Sequence, residues 1–133
     1  MKVVYLCSPY SYKSKFRFIS FLVRLYREYK ISKIAAALTE TYKVALICPI
    51  TTSHRLAKFM KNPGTSFEAW KDIDLAFVES SHEVWVVDMP GYLESIGVQA
   101  EILHAIKHKK TIRYINAKTS LIYIKYNRNN KSM

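Results

Sequence analysis

The chain has 133 residues and a mass of 15.5 kDa, a length suited to one domain. Half of its residues are apolar and 14% are aromatic, so a hydrophobic core can form and wholesale disorder is excluded. Lys and Arg number 21 against 10 Asp and Glu, and the resulting net charge of +11 points to a polyanionic partner: nucleic acid, a phosphorylated metabolite or a membrane surface.

The distribution of charge narrows that choice. Residues 13–33 carry seven bases and one acid, and residues 107–133 carry eight bases and no acid. Residues 66–101, between them, carry eight acids and one base. An acidic segment does not grip a phosphate backbone, so chemistry is sought there instead. No apolar run reaches the ~20 residues that span a bilayer. Met1–Pro9 is too short and too promptly broken for a signal peptide. Cys7 and Cys48 lie in apolar runs without Cys-x-x-Cys spacing, so buried free thiols are expected and a cytoplasmic location follows.

Val3–Cys7 is a short apolar run ended by Ser8-Pro9, the pattern of a buried strand entering a turn. From Lys15 to Thr41 the period is helical, with Phe18, Phe21, Leu22, Leu25, Tyr26 and Tyr29 at three- and four-residue spacing and a break expected near Ser32. Val44–Cys48 is a second buried strand, closed by Pro49, and Thr51–Gly64 reads as loop with a helical turn around Arg55–Met60. A helix starts at Ser66 and runs through Trp70, Ile73, Phe77 and Val78. Val84–Val87 is the third strand, broken by Met89-Pro90-Gly91. Ser95 caps a helix reaching His108, and Thr111–Ile115 is the fourth strand. Leu121–Tyr126 is a candidate fifth strand, and 127–133 a disordered tail. Alternating strands and helices give an α/β class: a Rossmann-like (flavodoxin-like) three-layer sandwich with a parallel sheet of four to five strands, one domain over 1–126.

In such sheets ligands bind at the carboxyl ends of the strands. Those ends are Ser8-Pro9-Tyr10, Pro49-Ile50-Thr51, Asp88–Ser95 and Asn116. Ser95 and the amides after it form a helix N-terminus, whose unpaired N–H groups and positive dipole suit an anion. Gly97 lets a ligand approach the backbone. Glu101 lies one turn further in, where a carboxylate can attack an electrophilic carbon or accept sugar hydroxyls. Spacing alone leaves open that Ser95 is only a cap and Glu101 only a solvated helix residue.

Four motifs in order alter that balance: Tyr5-Leu6-Cys7-Ser8-Pro9-Tyr10; Cys48-Pro49-Ile50 with Ser53-His54; Trp70…Asp74; and Gly91-Tyr92-x-x-Ser95-x-Gly97-Val98-Gln99-Ala100-Glu101. Together, over residues 3–115, they resemble the nucleoside 2-deoxyribosyltransferase-like superfamily, and most of all a phage- and bacteria-associated branch of it related to the 2′-deoxynucleoside 5′-monophosphate N-hydrolases. The resemblance implies cleavage of an N-glycosidic bond, with Glu101 as nucleophile on the anomeric carbon and no cofactor or metal. Asp74 matches the acid that orients the sugar or protonates the leaving base. Tyr5 and the Ser8-Pro9-Tyr10 loop would line the sugar and phosphate side. Tyr92 stands where relatives have Trp, in a stacking role.

Ser95 discriminates between substrates. Transferases acting on unphosphorylated nucleosides carry Asp at that position, whereas the monophosphate hydrolases carry Ser to hydrogen-bond the 5′-phosphate. An Asp there would repel a phosphate, so a nucleotide is the expected small-molecule partner. Arg24 or Arg27 could serve the phosphate, and His54 the base or a hydroxyl, though a plain loop role suits His54 equally. His104 and His108 are spaced i, i+4, but the sequence offers no third ligand and no metal is expected. A homodimer or higher homo-oligomer is implied by the resemblance. No nucleic-acid module is recognisable and no membrane partner is expected. The alternative reading is a non-catalytic nucleotide-binding or sensing module on the same fold.

Overall fold

In the computed structural model, which describes residues 1–10, 15–61 and 67–125, the first strand and its neighbours set the position of everything else. Strand β1 (Val3–Cys7) is followed by α1 (Arg17–Tyr42), β2 (Ala45–Ile47), α2 (Pro49–Ala57) and α3 (Phe67–Ser80). Then come β3 (Glu83–Val87), α4 (Ile96–Lys107), β4 (Thr111–Ile115) and β5 (Ile122–Tyr123). The sheet order is β2-β1-β3-β4-β5. This is the doubly wound flavodoxin-like order, in which the chain switches direction between β1 and β3.

β1 pairs in parallel with β2 (Val3 opposite Ala45) and with β3 (Tyr5 opposite Val84), and β3 pairs in parallel with β4. The period of two along β1 divides its side chains between two cores. Val4 and Leu6 join Ile31, Ile34 and Leu38 of α1, together with Trp85, Val87 and Ile115. Tyr5 and Cys7 join Val84, Val86, Val78 of α3, and Val98 and Ala105 of α4. The result is a three-layer sandwich with α1 and α2 on one face and α3 and α4 on the other.

Three expectations need correction. The sheet is not wholly parallel: β5 runs antiparallel to β4, with Tyr114 opposite Tyr123. The connection between them is too short for a crossover. Asn116 Oδ1 accepts the backbone N–H groups of Lys118 and Thr119, at 2.8 and 3.1 Å, and turns the chain back. The stretch expected as a loop after β2 is α2, with Pro49 in its first turn, where a missing N–H costs nothing. α1 runs unbroken through Ser32, whose hydroxyl donates to Glu28 O at 2.7 Å inside the helix. The apolar stripe of α1 is only half used. Ile31, Ile34 and Leu38 are buried, while Phe18, Phe21, Leu22, Leu25, Tyr26 and Tyr29 are exposed.

The end of the sheet away from the strand carboxyl termini is anchored by Glu83. Burial would raise its carboxyl, but hydrogen bonds from Lys2 (2.9 Å), Trp85 Nε1 (2.7 Å) and Arg113 Nε (3.1 Å) outweigh it and hold the group at about 2. The expected tail, 127–133, lies outside the described residues. Among the described residues, no helix is long and apolar enough to cross a membrane.

Candidate functional site

Tyr5 and Cys7 point from β1 toward the α3–α4 layer because both are odd-numbered on a strand whose even positions face α1. Asp74 on α3 and Glu101 on α4 meet them there. Both carboxyls are buried, each with 7% of its surface exposed. Glu101 is hydrogen-bonded by the Cys7 thiol and the Tyr5 hydroxyl. Burial, and then the nearby Asp74 charge, outweigh those bonds and push Glu101 up to about 8. Burial raises Asp74 to about 6. The thiol of Cys7 and the hydroxyl of Tyr5 are both held well above their usual ranges, by burial first and by Glu101 next, so each stays protonated and serves as a donor.

Among the described residues, Asp74 Oδ1 is buried without a hydrogen-bond partner. Buried polar atoms are satisfied in the great majority of cases, so this oxygen stands out as one able to take a further hydrogen bond. With both carboxyls raised, the pair holds one proton near neutrality, favouring Glu101 over Asp74, a coupled state of the kind acid–base sites use.

The described rim consists of Ser8 and Pro9 after β1, the loop after β3 and the start of α4. Ser95 is the N-cap of α4, its Oγ accepting the Val98 N–H at 3.3 Å, and Gly97 lies half-buried in the first turn. Gly91 has a positive φ of 96°, and a Cβ there would stand 2.7 Å from Arg27 Nη2. That guanidinium reaches from α1 to the loop and donates to Pro90 O at 3.3 Å. Tyr92 lies on the α3–α4 side, its hydroxyl bonded by Lys125, whose ammonium also stands 4.7 Å from the Tyr92 ring centre.

The expected residues thus divide. Tyr5, Asp74 and Glu101 come together, with Ser95 and Gly97 one turn and more before Glu101 on the same helix. Pro9 is buried and Ser8 half-buried at the end of β1. Tyr10 packs against the α1-side core instead, and burial, with Glu28 next, raises its hydroxyl to about 12 against the opposing effect of Arg24. His54 belongs to α2, and its side chain lies outside the described residues. Trp70 is buried, and so is Trp85, which donates to Glu83. Cys7 is the site residue that reading by motif passed over. The signal was available: it stands two residues from Tyr5 on a strand and so shares its face.

Residues 2–116 match a protein family described as a domain of unknown function, DUF1937. The chain belongs to this family. The match spans β1 through β4 and therefore every element that carries Tyr5, Cys7, Asp74, Ser95 and Glu101, while β5 falls beyond it. Among curated proteins, none matches the chain. In this DUF1937 domain the buried carboxyl pair lies on the α3–α4 side of β1, next to the β1–β3 switch point, the place where doubly wound sheets bind ligands.

Proposed function

We propose that the protein cleaves the N-glycosidic bond of a nucleoside 5′-monophosphate, with Glu101 as nucleophile and Asp74 as acid. The observation that carries this reading is the pairing of two buried carboxyls, one with an orphan oxygen, against Tyr5 and Cys7. Substrate binding moves the pair's proton from Glu101 to Asp74; the Glu101 carboxylate then attacks the anomeric carbon as the bond to the base nitrogen breaks, and Asp74 gives that proton to the departing base. Water then attacks the glycosyl ester from the same site, Asp74 takes its proton, and Glu101 leaves as carboxylate. Developing positive charge on the sugar ring faces a carboxylate in a low-dielectric pocket, where the attraction is strong. The donors on Tyr5 and Cys7 fix the carboxylate in place.

The N-terminus of α4 suits the 5′-phosphate. While its oxygen accepts from Val98, the Ser95 hydroxyl retains a proton to donate outward. Arg27, beside Gly91, adds positive charge at the same rim. The net charge of +11 draws such an anion in. A homo-oligomer belongs to the same reading, with the uncovered aromatic half of α1 as its contact.

Incubation with a panel of nucleoside and deoxynucleoside 5′-monophosphates, followed by chromatography for free base, tests the proposal. Base release by the wild type and a loss of at least 1,000-fold in Glu101→Gln are expected, on the order of removing a group that acts in the transition state. Release undiminished in Glu101→Gln overturns the nucleophile. Nucleotide binding without any release would favour the non-catalytic module.

A further inference from the structure

We propose that Glu79, His104 and His108 form a site for one divalent transition-metal ion, of the Zn2+ class, that clamps α3 to α4. The sequence offers two ligands on one helix face, and the fold supplies the third. Glu79, in the last turn of α3, places Oε1 2.8 Å from His104 Nε2 and 3.4 Å from His108 Nε2. The two imidazoles, one helical turn apart, stand 4.5 Å between ring centres at a tilt of 49°. One ligating atom from each of the three residues lies within 4.8 Å of the other two.

A tetrahedral ion bonded at about 2.0–2.2 Å to nitrogen and oxygen needs its ligand atoms about 3.3 Å apart. The His108–Glu79 pair already has that spacing, and the His104–Glu79 pair reaches it by opening about 0.5 Å. A half-exposed glutamate can make that movement. Both rings turn the same nitrogen, Nε2, toward one carboxylate oxygen. That geometry places a shared positive centre, a proton or a metal ion, between acceptor groups. Two histidines and one carboxylate are a common ligand set for zinc with an open fourth position, and the exposure here leaves that position to water.

Lys107 and Lys110 temper the affinity. Lys107 lies close enough to act on the Glu79 charge, and Lys110 Nζ is held by Glu79 O and Ser81 O, each at 2.7 Å. The affinity expected is therefore that of a reversible site and not of a permanent structural one. Bound metal would tie together the two helices that carry Asp74 and Glu101, and so stiffen the carboxyl pair from outside. The inference does not depend on the glycosidase reading, because its ligands and readout are separate from it.

Titration of the full chain with ZnCl2 at pH 7.5, followed by calorimetry and thermal unfolding, tests the site. Saturable binding of one equivalent and a rise in Tm are expected. Affinity should fall at least tenfold in each of His104→Ala, His108→Ala and Glu79→Gln. In wild-type protein the ring NMR signals of His104 and His108 should move with Zn2+. Those of His82, whose Nδ1 accepts the Val3 N–H, should stay. Absence of one-equivalent binding, binding retained in His108→Ala, or unmoved His104 and His108 signals overturns the proposal.

Discussion

Glu101 stands where a carboxylate is costly to ionise, and that cost is measurable apart from any reaction. Its carboxyl is raised from 4.5 to about 8 by burial and then by Asp74. Between those two values the unfolded chain loses a proton that the folded chain keeps. Glu101 therefore stabilises the fold fully below its unfolded pKa, and the contribution is lost as pH rises through about 8. The slope is at most ~1.4 kcal/mol per pH unit. Glu101→Gln keeps the shape and removes the titration. Its Tm should match wild type near pH 4.5 and exceed it by pH 8, while the Asp74 contribution at lower pH is common to both proteins. Parallel Tm curves for the two proteins would show that Glu101 titrates normally. At this scale the sequence was informative but incomplete. Motif order selected Glu101 and Asp74 from different helices, whereas nothing in an apolar run told Cys7 apart from a packing residue. The orphan oxygen of Asp74 depends on what surrounds it in three dimensions, so no local pattern could report it.

Elements carry the site by two periodicities. The alternation along β1 sends Tyr5 and Cys7 to the same layer, and the 3.6-residue turn of α4 sets Glu101 below its N-terminus. Both periods were legible, which is why strands β1, β3 and β4 and helices α3 and α4 emerged close to their observed bounds. α2 was not legible because Pro49 ends a strand and begins a helix with the same residue, and the stop masks the start. Strand direction was also hidden for β5, since a two-residue run has no orientation of its own and the Asn116 turn decides it. The N-terminus of α4 gives a test at this scale. A carboxylate caps a helix as well as a hydroxyl does, so Ser95→Asp should fold with unchanged Tm within about 1 kcal/mol of stability. It should nonetheless repel a 5′-phosphate. Monophosphate affinity is expected to drop at least tenfold while the nucleoside is unaffected, as read by titration of each. Equal losses for both ligands would remove phosphate recognition from the cap.

The whole molecule has an unused surface that its charge alone does not explain. The first half of α1 leaves Phe18 70% and Tyr29 64% exposed, with Phe21, Leu22, Leu25 and Tyr26 beside them. Contiguous apolar exposure on that scale marks an interaction surface, since water disfavours it at roughly 25 cal/mol per Å2. The same helix carries Arg27 to the loop after β3, and so one face of α1 borders the candidate site while another stands uncovered. A second copy of the chain covering this face would bury the aromatic stripe and shield the site from bulk water together. Lys and Arg interleaved in 13–33 set a limit on the geometry: two copies stacking their α1 helices in register would bring like charges together, so an antiparallel or offset contact is required. Sedimentation at micromolar concentration should give about twice 15.5 kDa for the wild type. Replacing Phe21 and Leu25 with Glu should return the mass to that of one chain that still folds cooperatively, because neither side chain belongs to the buried core, and its Tm should lose the dependence on protein concentration that a dimer shows. Raised salt should strengthen the contact by screening the Lys and Arg of facing helices, the opposite of its effect on a contact made by ion pairs. A wild-type protein sedimenting as one chain, or a double variant still dimeric, would leave the stripe to another occupant.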